Sequence, residues 1–225
     1  MHDLETIVPY IRPPWWSLKA SIHIDIDKET AEAHHLRTTP QPNDNSAHIY
    51  TDGSGINDGI GAAMYCHTDQ HIEQRYLGKI SESMVYAGEL EAIHMAVTHA
   101  KDLTQTESRI FSDSQPAIKS LAKPKRQSGQ AIIERILDEI DVLYLTTLSY
   151  AMKIEWVPGH VGIVGNEKAD QAAKSAAIEK INPAPQPTVL KSARANEIHQ
   201  AIEQEQQKQW ANRKETAAHL RNITK

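Results

Sequence analysis

The sequence predicts an α/β domain: a five-stranded mixed sheet, three antiparallel strands and then parallel ones, flanked by helices. Three observations lead there. Residues 47–180 open with three short strand-like runs separated by turns. Helical and strand-like segments then alternate, which supplies the crossovers that parallel neighbours need. The chain of 225 residues is 40% hydrophobic and 24% charged, an ordinary globular composition that can bury a core.

Each element has its own signal. His48-Ile49-Tyr50-Thr51 runs into Asp52-Gly53-Ser54-Gly55, a strand ending in a turn. Residues 60–66 and 74–80 complete an antiparallel meander. Leu90, Ile93, Val97, Ala100 and Leu103 keep helical spacing over 85–103. Residues 109–112 form a strand ending at Asp113, and 115–122 a short helix stopped by Pro124. Ile132, Ile133, Ile136, Leu137, Ile140 and Leu143 mark the inward face of a helix over 131–148. Residues 153–157 form the last strand, ending at Pro158-Gly159-His160. A small-residue stripe, Ala169, Ala172, Ala173 and Ala176, lets a final helix over 166–177 pack closely.

The flanks differ. Residues 1–46 carry Pro13-Pro14-Trp15-Trp16, Pro40, Pro42 and Asn43-Asp44-Asn45, and read as an arm and linker. Ile22, Ile24 and Ile26 alternate with polar residues, the pattern of a short strand. Residues 181–225 begin with a stiff Pro-rich break at 182–187 and continue as a basic segment. Its apolar residues Ile198, Ile202 and Trp210 are sparse, so a marginal or partner-dependent helix is expected. The net charge of −5 divides as −3, −5 and +3 over the arm, the domain and the tail. Taken alone it argues against a nucleic-acid partner. Cys66 is the one cysteine, so nothing calls for an oxidising compartment. No apolar run reaches the ~20 residues of a membrane helix, and the N-terminus lacks a signal-peptide pattern. No membrane and no small-molecule cofactor are expected.

The chemistry lies in four acids. Asp52 is expected at the end of the first domain strand, and Asp113 at the end of the fourth. Glu89 and Asp170 are expected in the first turns of their helices. Ligands of α/β sheets bind at the carboxyl ends of strands. Carboxylates converging there repel one another, and a bound hard cation relieves the repulsion. An all-oxygen set suits Mg²⁺ or Mn²⁺. Two such ions ~3.5–4 Å apart serve in-line displacement at a phosphodiester.

The motifs Tyr50-Thr51-Asp52-Gly53-Ser54, Gly88-Glu89-Leu90-Glu91-Ala92, Ser112-Asp113-Ser114-Gln115 and Trp156-Val157-Pro158-Gly159-His160 stand in order, with Gly165-Asn166-Glu167-Lys168-Ala169-Asp170 after them. Together they resemble the type 1 ribonuclease H domain over residues 47–180, which implies a ribonuclease H-like fold. The resemblance implies that Asp52, Glu89, Asp113 and Asp170 bind two Mg²⁺ ions, with Mn²⁺ as a substitute. His160 would assist proton transfer or product release from a mobile loop. Gly53, Ser54, Gln115 and Asn166 would face the substrate, an RNA–DNA hybrid whose RNA strand is cut to 3′-hydroxyl and 5′-phosphate ends. The flanks, Ile11 to Trp16 and the tail through Trp210 and His219-Leu220-Arg221, resemble those around the ribonuclease H module of fungal non-LTR retrotransposon polyproteins. A reverse transcriptase polypeptide is therefore a candidate partner.

The sequence departs from bacterial members at Val85-Tyr86-Ala87, where they carry asparagines that touch the hybrid. It departs again at the short Lys123-to-Gly129 link, where they carry a long basic protrusion. A non-catalytic hybrid-binding or interaction module from a decayed retroelement is the alternative. Each acid also has a plainer reading: a turn at Asp52, helix-end acids at Glu89 and Asp113, and an Asp170–Lys174 pair at i,i+4. His67 and His71, four apart, fall in a hairpin rather than on a helix, which disfavours zinc there. Lys123, Lys125 and Arg126 are candidates for phosphate contact.

Overall fold

The computed structural model describes all residues except 1–3, 10, 11, 13, 14, 39–44, 148, 149, 185–188, 224 and 225, and only the helical backbone of 212–223. The expected linker residues Pro13, Pro14, Pro40, Pro42, Asn43, Asp44, Pro185 and Pro187 lie outside the described residues, as do Ile11 and the side chains of His219, Leu220 and Arg221. In chain order the elements are β1 (Ala20–His23), α1 (Lys28–Arg37), β2 (Ser46–Ile56), β3 (Gly59–Cys66), β4 (Ile72–Lys79), α2 (Val85–Ala100), β5 (Glu107–Ser112), α3 (Gln115–Ala122), α4 (Gln130–Thr146), β6 (Ala151–Trp156), α5 (Val164–Glu179) and α6 (Lys191–Ile223).

The sheet has six strands in the order β1-β6-β5-β2-β3-β4, one more than the five expected. β2, β3 and β4 form the antiparallel meander, and β5, β6 and β1 continue from β2 in parallel. The added strand overlaps the expected isoleucine alternation only at Ile22, which pairs with Ile154 of β6; Ile24 and Ile26 lie beyond its end, with Ile26 exposed. It is only four residues long, and its partner lies more than a hundred residues away, so no local pattern reveals the pairing. α1 was not expected. Asp27 caps it by accepting from the Thr30 amide at 2.8 Å.

Side-chain alternation sorts the core. Ile49, Ile110 and Ile154 face α2 and α4 in the large cluster with Leu90, Ile93, Ile133 and Ile136. Tyr50, Tyr65 and Phe111 point to the other face and pack with Val157, Ile163 and Ala169 near α5. β2 and β3 are buried almost end to end because helices cover both faces. All four alanines of the predicted stripe on α5 are buried. On the α5 side, His35 of α1 sets its ring edge-on to Phe111 at 4.9 Å. Beside it, Arg109 and Glu155 form a buried ion pair with contacts at 2.6 and 2.8 Å.

The arms are fastened to the domain. Leu4 bridges Val189, and the Glu5 amide donates to the Val189 carbonyl at 2.9 Å. The buried Glu5 carboxylate accepts from the Gly129 amide at 2.9 Å, from the Lys191 amide at 2.7 Å and from the Ser128 hydroxyl. One side chain thus caps both α4 and α6 at their N-termini. Trp16 packs on the main cluster and donates its indole N–H to Asp141 at 2.8 Å, while Trp15 is exposed. α6 docks through Leu190 and Ala193 against Ala87; Ile198, Ile202 and Trp210 beyond are exposed. No helix among the described residues is long and apolar enough to cross a membrane.

Candidate active site

The parallel pairing of β2 with β5 ends at Thr51 opposite Ser112. The next residue on each strand path is an acid, Asp52 on one side and Asp113 on the other. Asp52 is not at the end of its strand as expected: β2 continues to Ile56, paired with β3 alone. The carboxyl end of the parallel part still falls at Asp52, where the sheet changes sense.

Glu89 and Asp170 sit one turn deeper than expected. α2 starts at Val85 and α5 at Val164, so both acids lie in second turns. Gly53 explains how α2 reaches the sheet. A Cβ there would stand 2.9 Å from the Val85 carbonyl oxygen and closer still to the Glu89 amide. The Gly53 N–H in turn supports the Glu89 carboxylate.

Ligand oxygens of Asp52, Glu89 and Asp113 lie within 4.8 Å of one another. Asp170 is not in that trio; it groups with Glu167 and His160 at the same mutual limit. Its Oδ2 accepts from Lys174 Nζ at 2.7 Å. The plainer i,i+4 reading of Asp170 therefore holds as well, at the margin of the acidic centre.

Burial and mutual repulsion dominate the electrostatics. Burial pushes Asp52 up to about 8, with Asp113, Asp170 and Glu167 adding to the shift and Lys174 opposing it. Glu89 is raised well above the carboxylate range by burial, then by Asp52 and Asp113. Asp113 is raised by burial, against the Asn166 amide and the nearby His160. Glu89 Oε2 is buried with no hydrogen-bond partner. An all-carboxylate set with an unmatched buried oxygen fits a hard divalent cation.

The loop after β6 closes over Asp113. Trp156 donates its indole N–H to the Asp113 carbonyl at 3.1 Å, which anchors the strand end. A Cβ on Gly159 would stand 2.5 Å from Asp113 Oδ2. His160 follows, exposed and at φ 59°.

The four expected substrate residues separate. Gly53 lies against α2 and Ser54 is buried. Asn166 is 2% exposed and hydrogen-bonds Asp113, with its Oδ1 unpartnered. Gln115, half-buried at the start of α3, accepts from Lys119 at 2.8 Å. Tyr86 donates to Ser120 at 2.7 Å and accepts from Gln127 at 2.6 Å. It ties α2 to the α3–α4 link. The basic residues Lys119, Lys123 and Lys125 line an open groove of about 440 Å³ there. Sequence reasoning gave Glu167 no role and Lys174 only the plain one. Helical spacing from Asp170 was the signal for both.

A mixed sheet whose acids gather where parallel pairing gives way to antiparallel defines an α/β domain of the ribonuclease H-like class. The RNase H family model matches residues 44–178, more than half of the chain, and the chain belongs to that family. It is similar to the Pol polyprotein of equine infectious anemia virus, strain Wyoming, with 32% identity over 131 residues, covering 56% of this chain and 10% of that polyprotein. Isolate 1369 gives the same figures. Rat Ribonuclease H1 is 29% identical over 96 residues, covering 40% of this chain and 34% of that protein. The chain thus spans only a fraction of the length of the curated relatives it matches.

Proposed function

We propose that this protein is a divalent-metal-dependent endoribonuclease that hydrolyses the RNA strand of RNA–DNA hybrids, leaving 5′-phosphate and 3′-hydroxyl ends. The observation that carries this is the gathering of Asp52, Glu89 and Asp113 within 4.8 Å, two of them held well above the ordinary carboxylate range. Membership of the RNase H family supports the substrate class. Asp52, Glu89, Asp113 and Asp170 would hold two Mg²⁺ ions, with Mn²⁺ as a substitute. When bound, such ions polarise a phosphoryl oxygen, activate water and stabilise the leaving oxygen.

The chain's own residues prepare the site. Asn166 holds Asp113 by its amide, and Trp156 holds the Asp113 backbone. Burial shields the carboxylates of Asp52 and Glu89 from bulk water, while Asp113 and Asp170 stay partly open. His160, exposed beside Glu167 and Asp170, would carry a proton between the site and solvent. Gln115 and the groove at Lys119, Lys123 and Lys125 supply polar and cationic groups for the hybrid backbone. The protein's 2′-hydroxyl contacts would tell RNA from DNA.

In the organisation we propose, residues 1–46 connect to a preceding polypeptide, 47–180 form the nuclease, and 181–225 form a basic helical tail. The similarity to Pol polyproteins supports a retroelement origin and a reverse transcriptase partner. Incubating the protein with end-labelled hybrid and Mg²⁺ tests the activity. The expected result is RNA-strand cleavage abolished by Asp52→Asn or Asp113→Asn. Hybrid that is bound but stays intact in both Mg²⁺ and Mn²⁺ would instead establish a non-catalytic binding module.

A further inference from the structure

A second cluster of metal-ligating side chains lies in the N-terminal segment, outside the residues matched by the family model. β1 ends at His23, opposite Glu155 of β6. The chain turns through Asp25 into α1, and the second turn of α1 brings back His34. The His23 and His34 rings lie 4.4 Å apart, tilted by 32°. His23 Nε2 is 3.0 Å from Asp25 Oδ1, and His34 Nδ1 is 3.9 Å from Asp25 Oδ2. One ligand atom from each residue falls within 4.8 Å of the other two.

The Asp25 side chain is only 9% exposed, and its Oδ2 is buried with no hydrogen-bond partner. A buried carboxylate oxygen without a partner is costly, and a bound cation removes that cost. Here that oxygen lies 3.9 Å from His34 of α1, while the other oxygen of the same carboxylate meets His23 of β1.

We propose that His23, Asp25 and His34 bind a divalent transition metal, Zn²⁺ by preference, which staples β1 and α1 together at the edge of the sheet. Imidazole nitrogens with one carboxylate suit Zn²⁺ and not Mg²⁺. Zinc bonds to nitrogen and oxygen run ~2.0–2.2 Å, so donors around one ion stand roughly 3.2–3.6 Å apart. The observed separations bracket that range, and modest side-chain rotation closes the set. Three protein ligands leave the fourth tetrahedral position to water. A further mixed cluster away from the acidic centre, Cys66, Asp69 and His99, has no buried carboxylate oxygen without a partner. Asp69 already accepts from the His71 amide and pairs with His99 at 2.9 Å, and burial pushes the Cys66 thiol up to about 11, away from the thiolate that binds metal.

Titrating the full chain with Co²⁺ and following visible absorption tests this. The expected result is a band that saturates at one equivalent, is displaced by Zn²⁺ and withstands a hundredfold excess of Mg²⁺. His34→Gln and Asp25→Asn should each weaken Co²⁺ binding at least tenfold, while His99→Gln leaves it unchanged. His34→Cys should keep the site and add a sulfur-to-metal charge-transfer band. That gain of signal decides the matter even if the loss variants fold poorly. The proposal is overturned by the absence of a saturable band, by one that survives both His34→Gln and Asp25→Asn, by one abolished in His99→Gln, or by His34→Cys without the new band.

Discussion

Lys174 Nζ stands 2.7 Å from Asp170 Oδ2, at the margin of a cluster of buried acids. It lowers the repulsion felt by Asp52 and competes with any cation that Asp170 would bind. The lysine is nearly half exposed, so water screens the pair and its worth is about 1 kcal/mol or less. Lys174→Met should therefore reduce the Mg²⁺ concentration needed for half-maximal activity by roughly two- to fivefold. An activity titration checks it; an increased Mg²⁺ requirement would mean that Lys174 chiefly positions Asp170.

The acidic centre should make the metal-free protein sensitive to alkali. Asp52 is held at about 8 against an ordinary value of 3.8, and Glu89 is raised in the same direction. The folded state thus keeps protons that the unfolded state has released. The stabilisation is fully present below about pH 4 and is lost as pH rises through about 8. Glu91, lowered to about 2, acts with the opposite sign and below this window. In EDTA at pH 8, Asp52→Asn should raise Tm by about 4–8 °C, corresponding to about 2 kcal/mol. The difference should shrink at pH 5 and vanish only below about pH 4, and Mg²⁺ should stabilise the native sequence more than the variant. Scanning calorimetry at the two pH values measures this.

Gly159→Ala places a methyl group where Asp113 Oδ2 leaves only 2.5 Å. Either the loop or the carboxylate must move. We expect kcat on the hybrid to fall roughly 10- to 100-fold, because small misplacements at a reacting centre are costly. Tm should change by less than about 3 °C, because only the loop repacks. A large loss of Tm with unchanged kcat would place the strain away from the site.

Glu5 caps two helices whose starts are 61 residues apart in sequence, Gln130 and Lys191. Glu5→Ala leaves the Gly129 and Lys191 amides without their acceptor. The expected cost is about 2 kcal/mol. Hydrogen exchange should speed up at those two amides. It should stay slow in β2 and β5, whose ladder does not involve the arm.

The parts of this fold that local pattern determines were legible in the sequence. The meander, the helix at 115–122 and the alanine face of α5 each rest on a local period or on a turn, and each lies where expected. The four acids could be named because their motifs stand at fixed places on such elements. Three features needed the third dimension. β1 is too short to declare its partner, and α1 buries only Ala31 and His35, so it has almost no apolar period to detect. The division of the acids, with Asp170 turned to Lys174 and His160 beside it, depends on how α5 meets the sheet. The sequence charge of −5 argued against a nucleic-acid partner. The structure gathers part of that charge into one buried centre suited to cations, so net charge alone was a poor guide.

The most direct test of the central claim compares the native chain with Glu89→Gln on an end-labelled RNA–DNA hybrid in Mg²⁺, beside duplex RNA and duplex DNA. Glu89 is chosen because its buried, unpartnered Oε2 has no structural use in view. The account predicts cuts confined to the RNA strand of the hybrid, with 5′-phosphate ends, both duplexes intact, and at least a hundredfold loss of rate in Glu89→Gln. Equal cleavage by the variant, or cleavage of either duplex at the same rate, would contradict it.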